Sequence, residues 1–435
     1  MDTAECACST VEGRACPSPP CDTSFANSGL GCSRRTGLMS VTLDGSRTDI
    51  PVASPSARPL RAEAELRDRF AGLRVAIVHY WLVGPGGGEN VVKTMLRLFP
   101  TADVFTLVEK PAYSQTIVPR ERLHTSFLQR IPGAARAHRA LLPLAPMALE
   151  NLDLEGYDLI ISSESGPAKG IMPPLKAVHV CYCHSPMRYI WDQFHQYRRD
   201  TGLIKRIVMS LTVARLRQWD AVSAMRVDRF IANSHYVASR IAKYYRRDAE
   251  VIYPPVEVQD FSPVEQVEDF YLITGRHVSY KRVDLAIQAC NQLRRRLIIT
   301  GSGPETAALR RLAGPTIEFV GQCSFADLQS FYARARAFLM PGEEDFGIAP
   351  VEAMASGRPV IAFASGGALE TVVPGLSGRH FAEQSVASLV AAMTAFEAEE
   401  ASFDPAAIRA HAEKFSREHF LDRFATFVEA ALQRR

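Results

Sequence analysis

The sequence predicts an α/β protein with two Rossmann-like domains facing a cleft, preceded by a disordered N-terminal extension. Three observations carry this reading. Short apolar runs rich in β-branched residues alternate with helical patterns in two successive series. Glycine-rich turns follow several of those runs, as in doubly wound sheets. At 435 residues the chain is also too long for one ordinary core.

Residues 1–72 read as the extension. They are rich in Ser, Pro, Thr and Arg, with one helical stretch, RAEAELRDRFAGL. Five of the nine cysteines (Cys6, Cys8, Cys16, Cys21, Cys32) fall here, without the paired spacing of a metal site. Met39 is an internal candidate start. Residues 73–255 form the first domain, opening with the apolar run RVAIVHYWL, the loop GPGGGE and the helical NVVKTMLRLF. A proline-bearing linker follows. Residues 256–415 form the second domain, with apolar runs at 270–275, 296–301, 317–321, 337–342 and 359–363. Residues 416–435 form a last helix. Many runs are apolar on both faces, which parallel strands covered by helices require.

Composition removes several function classes. A net charge of +3 is too small to argue for nucleic acid. No apolar run reaches the ~18–20 residues of a membrane span. No cationic and apolar leader is visible, so the expected compartment is the cytoplasm, extending to the cytoplasmic face of the inner membrane as a peripheral protein.

Ligands bind beyond the carboxyl ends of parallel strands. The stretch PGEEDFGIAPVEAMASGRPVIA lies there in the second domain. Pro350 fits only the first helical turn, so the helix starts near Gly347, and Gly357 with Pro359 stops it. The amides of Gly347, Ile348 and Ala349 then face the cleft and favour an anion such as a diphosphate. Glu344 and Glu352 suit hydroxyl pairs, because each carboxylate oxygen accepts hydrogen bonds. On spacing alone they read equally as a helix-start acid and a solvated helix residue. Arg276 and Lys281, in GRHVSYKR, supply countercharge from the same sheet edge. GSGPE at 301–305 is only a partial dinucleotide fingerprint. In the first domain, GPGGGE opens onto the cleft. His184, in CHSPMRYIWD, stands at a strand end as a structural residue or a hydroxyl and proton partner.

These blocks together resemble the retaining glycosyltransferases of family 4, of the GT-B fold and E-x7-E type. EEDFGIAPVEAMASGRPVIA, TGRHVSYKRVDLAI, ITGSGPE, GGGE and NSHYVASRIAKYY…VIYPPVE match that family in order, over about residues 73–435. The resemblance implies glycosyl transfer from a nucleotide sugar to a hydroxyl with retention at the anomeric carbon. It places Glu344 on the transferred sugar, Glu352 on the ribose and His184 near sugar and acceptor. The Phe346, Gly347 and Ile348 backbone, with Arg276 and Lys281, would hold the diphosphate; Gly87 and Gly88 would border it. It implies no metal and no cofactor beyond the donor. The last helix is expected to pack back across the first domain. CHSPMRYIWD and VIYPPVE look most like bacterial polysaccharide-assembly mannosyltransferases using GDP-mannose.

Residues 197–219 add an expected partner. Leu203, Ile204, Ile207, Val208, Leu211 and Ala214 share one helical arc, with Lys205, Arg206 and Arg217 opposite. The arc reads either as core or as a face for an anionic membrane carrying a saccharide or polyprenyl-diphosphate-linked acceptor. Two other readings remain at this level: a nucleotide-sugar epimerase or hydrolase of the same fold, and a catalytically silent nucleotide-sugar-binding protein.

Overall fold

The computed structural model describes residues 60–199 and 202–433. Residues 1–59, the body of the expected extension, lie outside the described residues. The first sheet has seven strands: β1 (Val75–His79), β2 (Asp103–Thr106), β3 (Leu123–Thr125), β4 (Leu159–Glu164), β5 (Val178–Cys183), β6 (Arg229–Ala232) and β7 (Ala249–Val251). Their order is β3-β2-β1-β4-β5-β6-β7. The second sheet has six: β8 (Tyr271–Ile273), β9 (Leu297–Thr300), β10 (Ile317–Gly321), β11 (Ala337–Met340), β12 (Val360–Phe363) and β13 (Gly378–Phe381), ordered β10-β9-β8-β11-β12-β13. Both sheets are parallel throughout.

Burial follows position in the sheet. Every residue of β1, β4 and β5 is buried, because helices cover both faces of central strands. The edge strand β10 alternates between half-buried and exposed. Cys181 and Cys183 are free thiols packed inside β5.

Strand order reverses direction between β1 and β4, and again between β8 and β11. Connections leave these neighbours on opposite sides, so a crevice opens at their carboxyl ends. Those two crevices position the site.

The chain crosses between domains twice, side by side. Val256 N donates to Phe415 O at 3.0 Å, and Arg417 N donates to Val256 O at 3.2 Å. Tyr253, Phe346 and Phe415 pack as an aromatic cluster beside the crossing, with ring centroids 5.1–5.6 Å apart. The helix Arg417–Gln433 then lies on the first domain. Phe420, Leu421, Phe424 and Val428 are buried in its core with Tyr182 of β5.

One boundary moves. Composition put residues 60–72 in the extension, yet the helix Glu63–Asp68 is part of the first domain. Leu66 and Phe70 are buried in the same core as Phe424, and Phe70 packs on Phe99. Arg61 Nε donates to Asp422 Oδ1 at 2.6 Å, and Arg69 pairs with Glu429 at 2.8 Å. Two apolar residues in a polar segment suffice because the last helix supplies the other half of the contact. Leu66→Ala should therefore lower the free energy of unfolding by about 2–5 kcal/mol, as read by urea denaturation; a loss within error would contradict this placement.

Candidate active site

The loop after β11 is built on close backbone approach. Gly347 caps the helix Ile348–Ala355 with φ +89°, a conformation that favours glycine. A Cβ there would also lie 2.9 Å from Met340 Cε. Pro350 sits in the first turn and donates nothing, which leaves the amides of Gly347, Ile348 and Ala349 as the open donors. Gly342 lets the loop pass Lys281, whose Cα would be 2.5 Å from a Cβ.

Glu344 accepts from Lys281 Nζ at 2.5 Å, and its carbonyl accepts from Gly367 N at 2.9 Å. Burial alone would lower the Lys281 ammonium, but the Glu344 carboxylate outweighs it and the net shift is upward. Glu352 lies in the next helical turn. Its Oε2 accepts from the buried Tyr332 hydroxyl at 2.8 Å, and that hydroxyl also meets Thr274 Oγ1 at 2.8 Å. Burial raises the Glu352 carboxyl, against the pull of Tyr332 and Lys281. One oxygen is thus fixed, and Oε1 has no protein hydrogen bond among the described residues. Arg276 is exposed beside them and makes no ion pair among the described residues.

The first domain brings a second helix start to the same place. A Cβ on Gly87 would lie 2.9 Å from Ile348 Cδ1, so the N-termini of the helices Gly87–Leu98 and Ile348–Ala355 meet across the cleft. Both ends carry partial positive charge and unsatisfied amides. Gly88 borders the histidines: a Cβ there would be 3.3 Å from His79 Cε1 and 3.6 Å from His184 Nε2. His184 follows β5, its Nε2 2.9 Å from Ser163 Oγ. Burial, reinforced by His79, pushes its pKa down to about 3, so the ring is neutral.

The acids flanking Glu344 hold the domains together. Asp345 accepts from Arg188 Nε and from Arg240 NH1, each at 2.9 Å. Arg240 is itself buried, and also donates to Ser185 Oγ and Asp192 Oδ1 at 2.7 Å. Glu343 accepts from Tyr236 OH at 2.7 Å and from Ser365 Oγ at 2.5 Å. Glu370 caps the helix His235–Tyr245, accepting from His235 N at 2.8 Å and Tyr236 N at 2.9 Å. Among the described residues, no group of three or more His, Cys, Asp or Glu is arranged to hold a metal ion.

Comparisons with known proteins bear on this geometry. Residues 85–260 match the model described as Glycosyltransferase Family 4, and residues 257–417 match Glycosyl transferases group 1. The two overlap at residues 257–260, beside the crossing between domains. The chain belongs to the family 4 glycosyltransferases. This family 4 chain is 30% identical over 152 residues to the O-antigen chain mannosyltransferase RfbU of Salmonella typhimurium, covering 32% of this chain and 43% of RfbU. It is 27% identical over 315 residues to the alpha-1,3/1,6-mannosyltransferase of Saccharomyces cerevisiae, covering 59% of this chain and 60% of that protein. The chain thus spans about half the length of the curated relatives it matches. The structure of Anabaena HepE in complex with UDP superposes with a TM-score of 0.62 at 16% identity, over 82% of this chain and all of HepE. Sucrose-phosphate synthase of Thermosynechococcus elongatus gives 0.63 at 18%, over 83% of this chain and all of that one. These likenesses establish the GT-B fold of the family 4 chain.

The structure brings Glu344, Glu352, Lys281, Gly347, Ile348 and Gly87 to one place, with Arg276, Gly88 and His184 at its rim. Phe346 contributes only backbone there, since its ring is in the core. The GSGPE turn has a packing role: Cβ atoms on Gly301 and Gly303 would strike the carbonyls of Gly275 and His277. Sequence reasoning missed Glu343, Asp345, Arg188, Arg240, His79 and Ser163. Asp345 and Arg188 stood inside quoted motifs, and runs of charge beside a glycine loop were the available signal. Asp345→Ala should free the two arginines and favour an open cleft by about 3–5 kcal/mol. A larger radius of gyration in small-angle scattering would show it; an unchanged radius would contradict the clamp.

Proposed function

We propose that this chain transfers a hexosyl group from a nucleotide sugar to a saccharide or lipid-linked saccharide hydroxyl, with retention. The observation that carries this is the meeting of two helix N-termini with Lys281, Glu344 and Glu352 at one cleft. That set fits the parts of a nucleoside diphosphate sugar. The open amides, Lys281 and Arg276 take the diphosphate. The free oxygen of Glu352 takes a ribose hydroxyl, and Glu344 a hydroxyl of the transferred sugar.

In the proposed reaction the bond from the anomeric carbon to the diphosphate oxygen breaks. The acceptor oxygen bonds that carbon on the same face, and the departing phosphate oxygen takes its proton. The countercharge on the leaving group comes from Lys281, Arg276 and the helix amides rather than from a metal ion. The mannosyltransferase relatives support a mannosyl group, and those among them named as GDP-mannose-dependent support GDP-mannose as donor, in polysaccharide assembly.

The helix Leu203–Ser223 supports a membrane-borne acceptor. Leu203, Ile204 and Leu211 are 69%, 79% and 73% exposed, and Ile207, Val208 and Ala214 are exposed too. Val213 and Leu216, on another stripe, pack on Met187, Ile190 and Phe194. Arg217 turns to the protein body, where Ile190 O accepts its Nε and its guanidinium lies near Trp191 and Phe194. Arg199 and Arg215 remain exposed. Asp220 anchors the helix by accepting from buried Lys169, from Trp191 Nε1 at 2.7 Å and from Tyr245 OH at 3.0 Å. An apolar arc with basic neighbours suits an anionic leaflet. No described helix is long and apolar enough to cross a membrane.

Incubation with GDP-mannose and other sugar nucleotides, with and without a membrane lipid extract, tests the reaction. Acceptor-dependent transfer of an α-linked sugar is expected; sugar release without acceptor would favour hydrolysis. Glu344→Gln should lower turnover at least ~100-fold, the scale of losing one transition-state contact, while Lys281→Ala should weaken nucleotide binding. Wild-type behaviour in both removes the site. Replacing Leu203, Ile204 and Leu211 together by Ser should abolish cosedimentation with phosphatidylglycerol-containing vesicles while leaving transfer to a soluble acceptor intact; undiminished cosedimentation rejects the membrane face.

A further inference from the structure

Beside the proposed donor site, three polar side chains line up across adjacent strand ends, with a fourth at the neighbouring helix start. His79 ends β1, and Ser163 pairs with it in register on β4. Ser163 also pairs with Tyr182 of β5, two residues before His184. Side chains two apart share a face, so the three groups project together. Ser163 Oγ lies 3.1 Å from His79 Nδ1 and 2.9 Å from His184 Nε2. The other nitrogen of His79, Nε2, is buried without a hydrogen bond, and Glu89 Oε1 is 3.8 Å from it. Glu89 is itself held over the helix start, where a Cβ on Gly86 would be 2.6 Å from its Oε2.

This geometry orders the protons. A neutral imidazole has one N–H and one lone pair. Facing a carboxylate, the N–H is attracted and the lone pair repelled. In its neutral form His79 therefore carries its proton on Nε2, towards Glu89, and Nδ1 accepts. The hydroxyl of Ser163 has one proton, which goes to His79 Nδ1. Its oxygen must then accept from His184 Nε2–H. The remaining nitrogen, His184 Nδ1, has no protein partner among the described residues and is not sealed from solvent.

We infer that Glu89, His79 and Ser163 are positioning residues that hold His184 in the Nε2–H tautomer and leave its Nδ1 lone pair to accept a substrate hydroxyl. The last step rests on the proposed transfer reaction; the tautomer does not. A carboxylate at the start of the first helix thereby acts on the chemistry through two intervening side chains.

The test uses the full chain labelled with [15N]histidine, at pH 8, above the usual histidine range. The His184 ring signals are assigned by their loss in His184→Gln. Wild type should show Nε2 protonated and Nδ1 bare. Glu89→Gln, which keeps the shape and removes the charge, and Ser163→Ala, which cuts the relay, should each give a tautomer mixture. A bare Nε2 in wild type, or signals unchanged in both variants, overturns the relay. In turnover, Glu89→Gln should lower kcat by about tenfold with the donor KM little changed, less than the ~100-fold or more lost with a group that itself touches the reacting proton. A shifted tautomer with unchanged kcat overturns the role of His184 while leaving the relay. Correct tautomers without transfer from any donor overturn the reaction instead.

Discussion

Asp345 fixes the distance between the two domains, and the candidate site depends on that distance. Its carboxylate meets two arginines of the first domain, and one of them, Arg240, is buried. Taking such charges from water is costly unless they are paired and fully hydrogen-bonded. Arg240 comes nearest to that condition only when Asp345, Asp192 and Ser185 are all within reach of its two terminal nitrogens, its Nε being left without a partner. The cleft therefore has a defined closed geometry. A clamp of charges is also one that water can release, since each group is well solvated once apart. That would suit the proposed reaction, in which the cleft opens for donor and product.

The three consecutive acids divide this labour. Glu343 and Asp345 cross the cleft, and Glu344 between them turns to Lys281. With both neighbours tied to the first domain, closure and the placement of Glu344 are one event. The Lys281 pairing adds a second coupling. A diphosphate drawing the ammonium towards itself would release the Glu344 carboxylate for a sugar hydroxyl. On the proposed reaction, both halves of the donor would then be recognised through one ion pair.

The local parts of this site were legible in the sequence. Pro350 restricts the backbone to a first helical turn, while Gly347 and Gly357 permit the positive φ that a helix start and stop take here, so the open amides followed from residue types alone. The two series of apolar runs likewise read as parallel sheets because buried strands need apolar residues on both faces. The partners were not legible. Asp345 lies 157 residues from Arg188 and 105 from Arg240, and nothing in either local pattern names the other. The His79–Ser163–His184 alignment depends on β4 lying between β1 and β5, which is strand order and not spacing. Residues 60–72 were misjudged for the same reason: Leu66 and Phe70 have their contacts on a helix at the far end of the chain.

The central claim is that two helix N-termini from different domains grip one diphosphate. Hydrogen–deuterium exchange of the full chain, with and without saturating GDP or UDP, measures it most directly. Unbonded amides at helix starts exchange quickly until an anion accepts from them. The account predicts that a bound nucleotide slows exchange in residues 86–89 and in residues 347–349 together. Protection confined to one of the two segments, or absent from both despite binding, would contradict it.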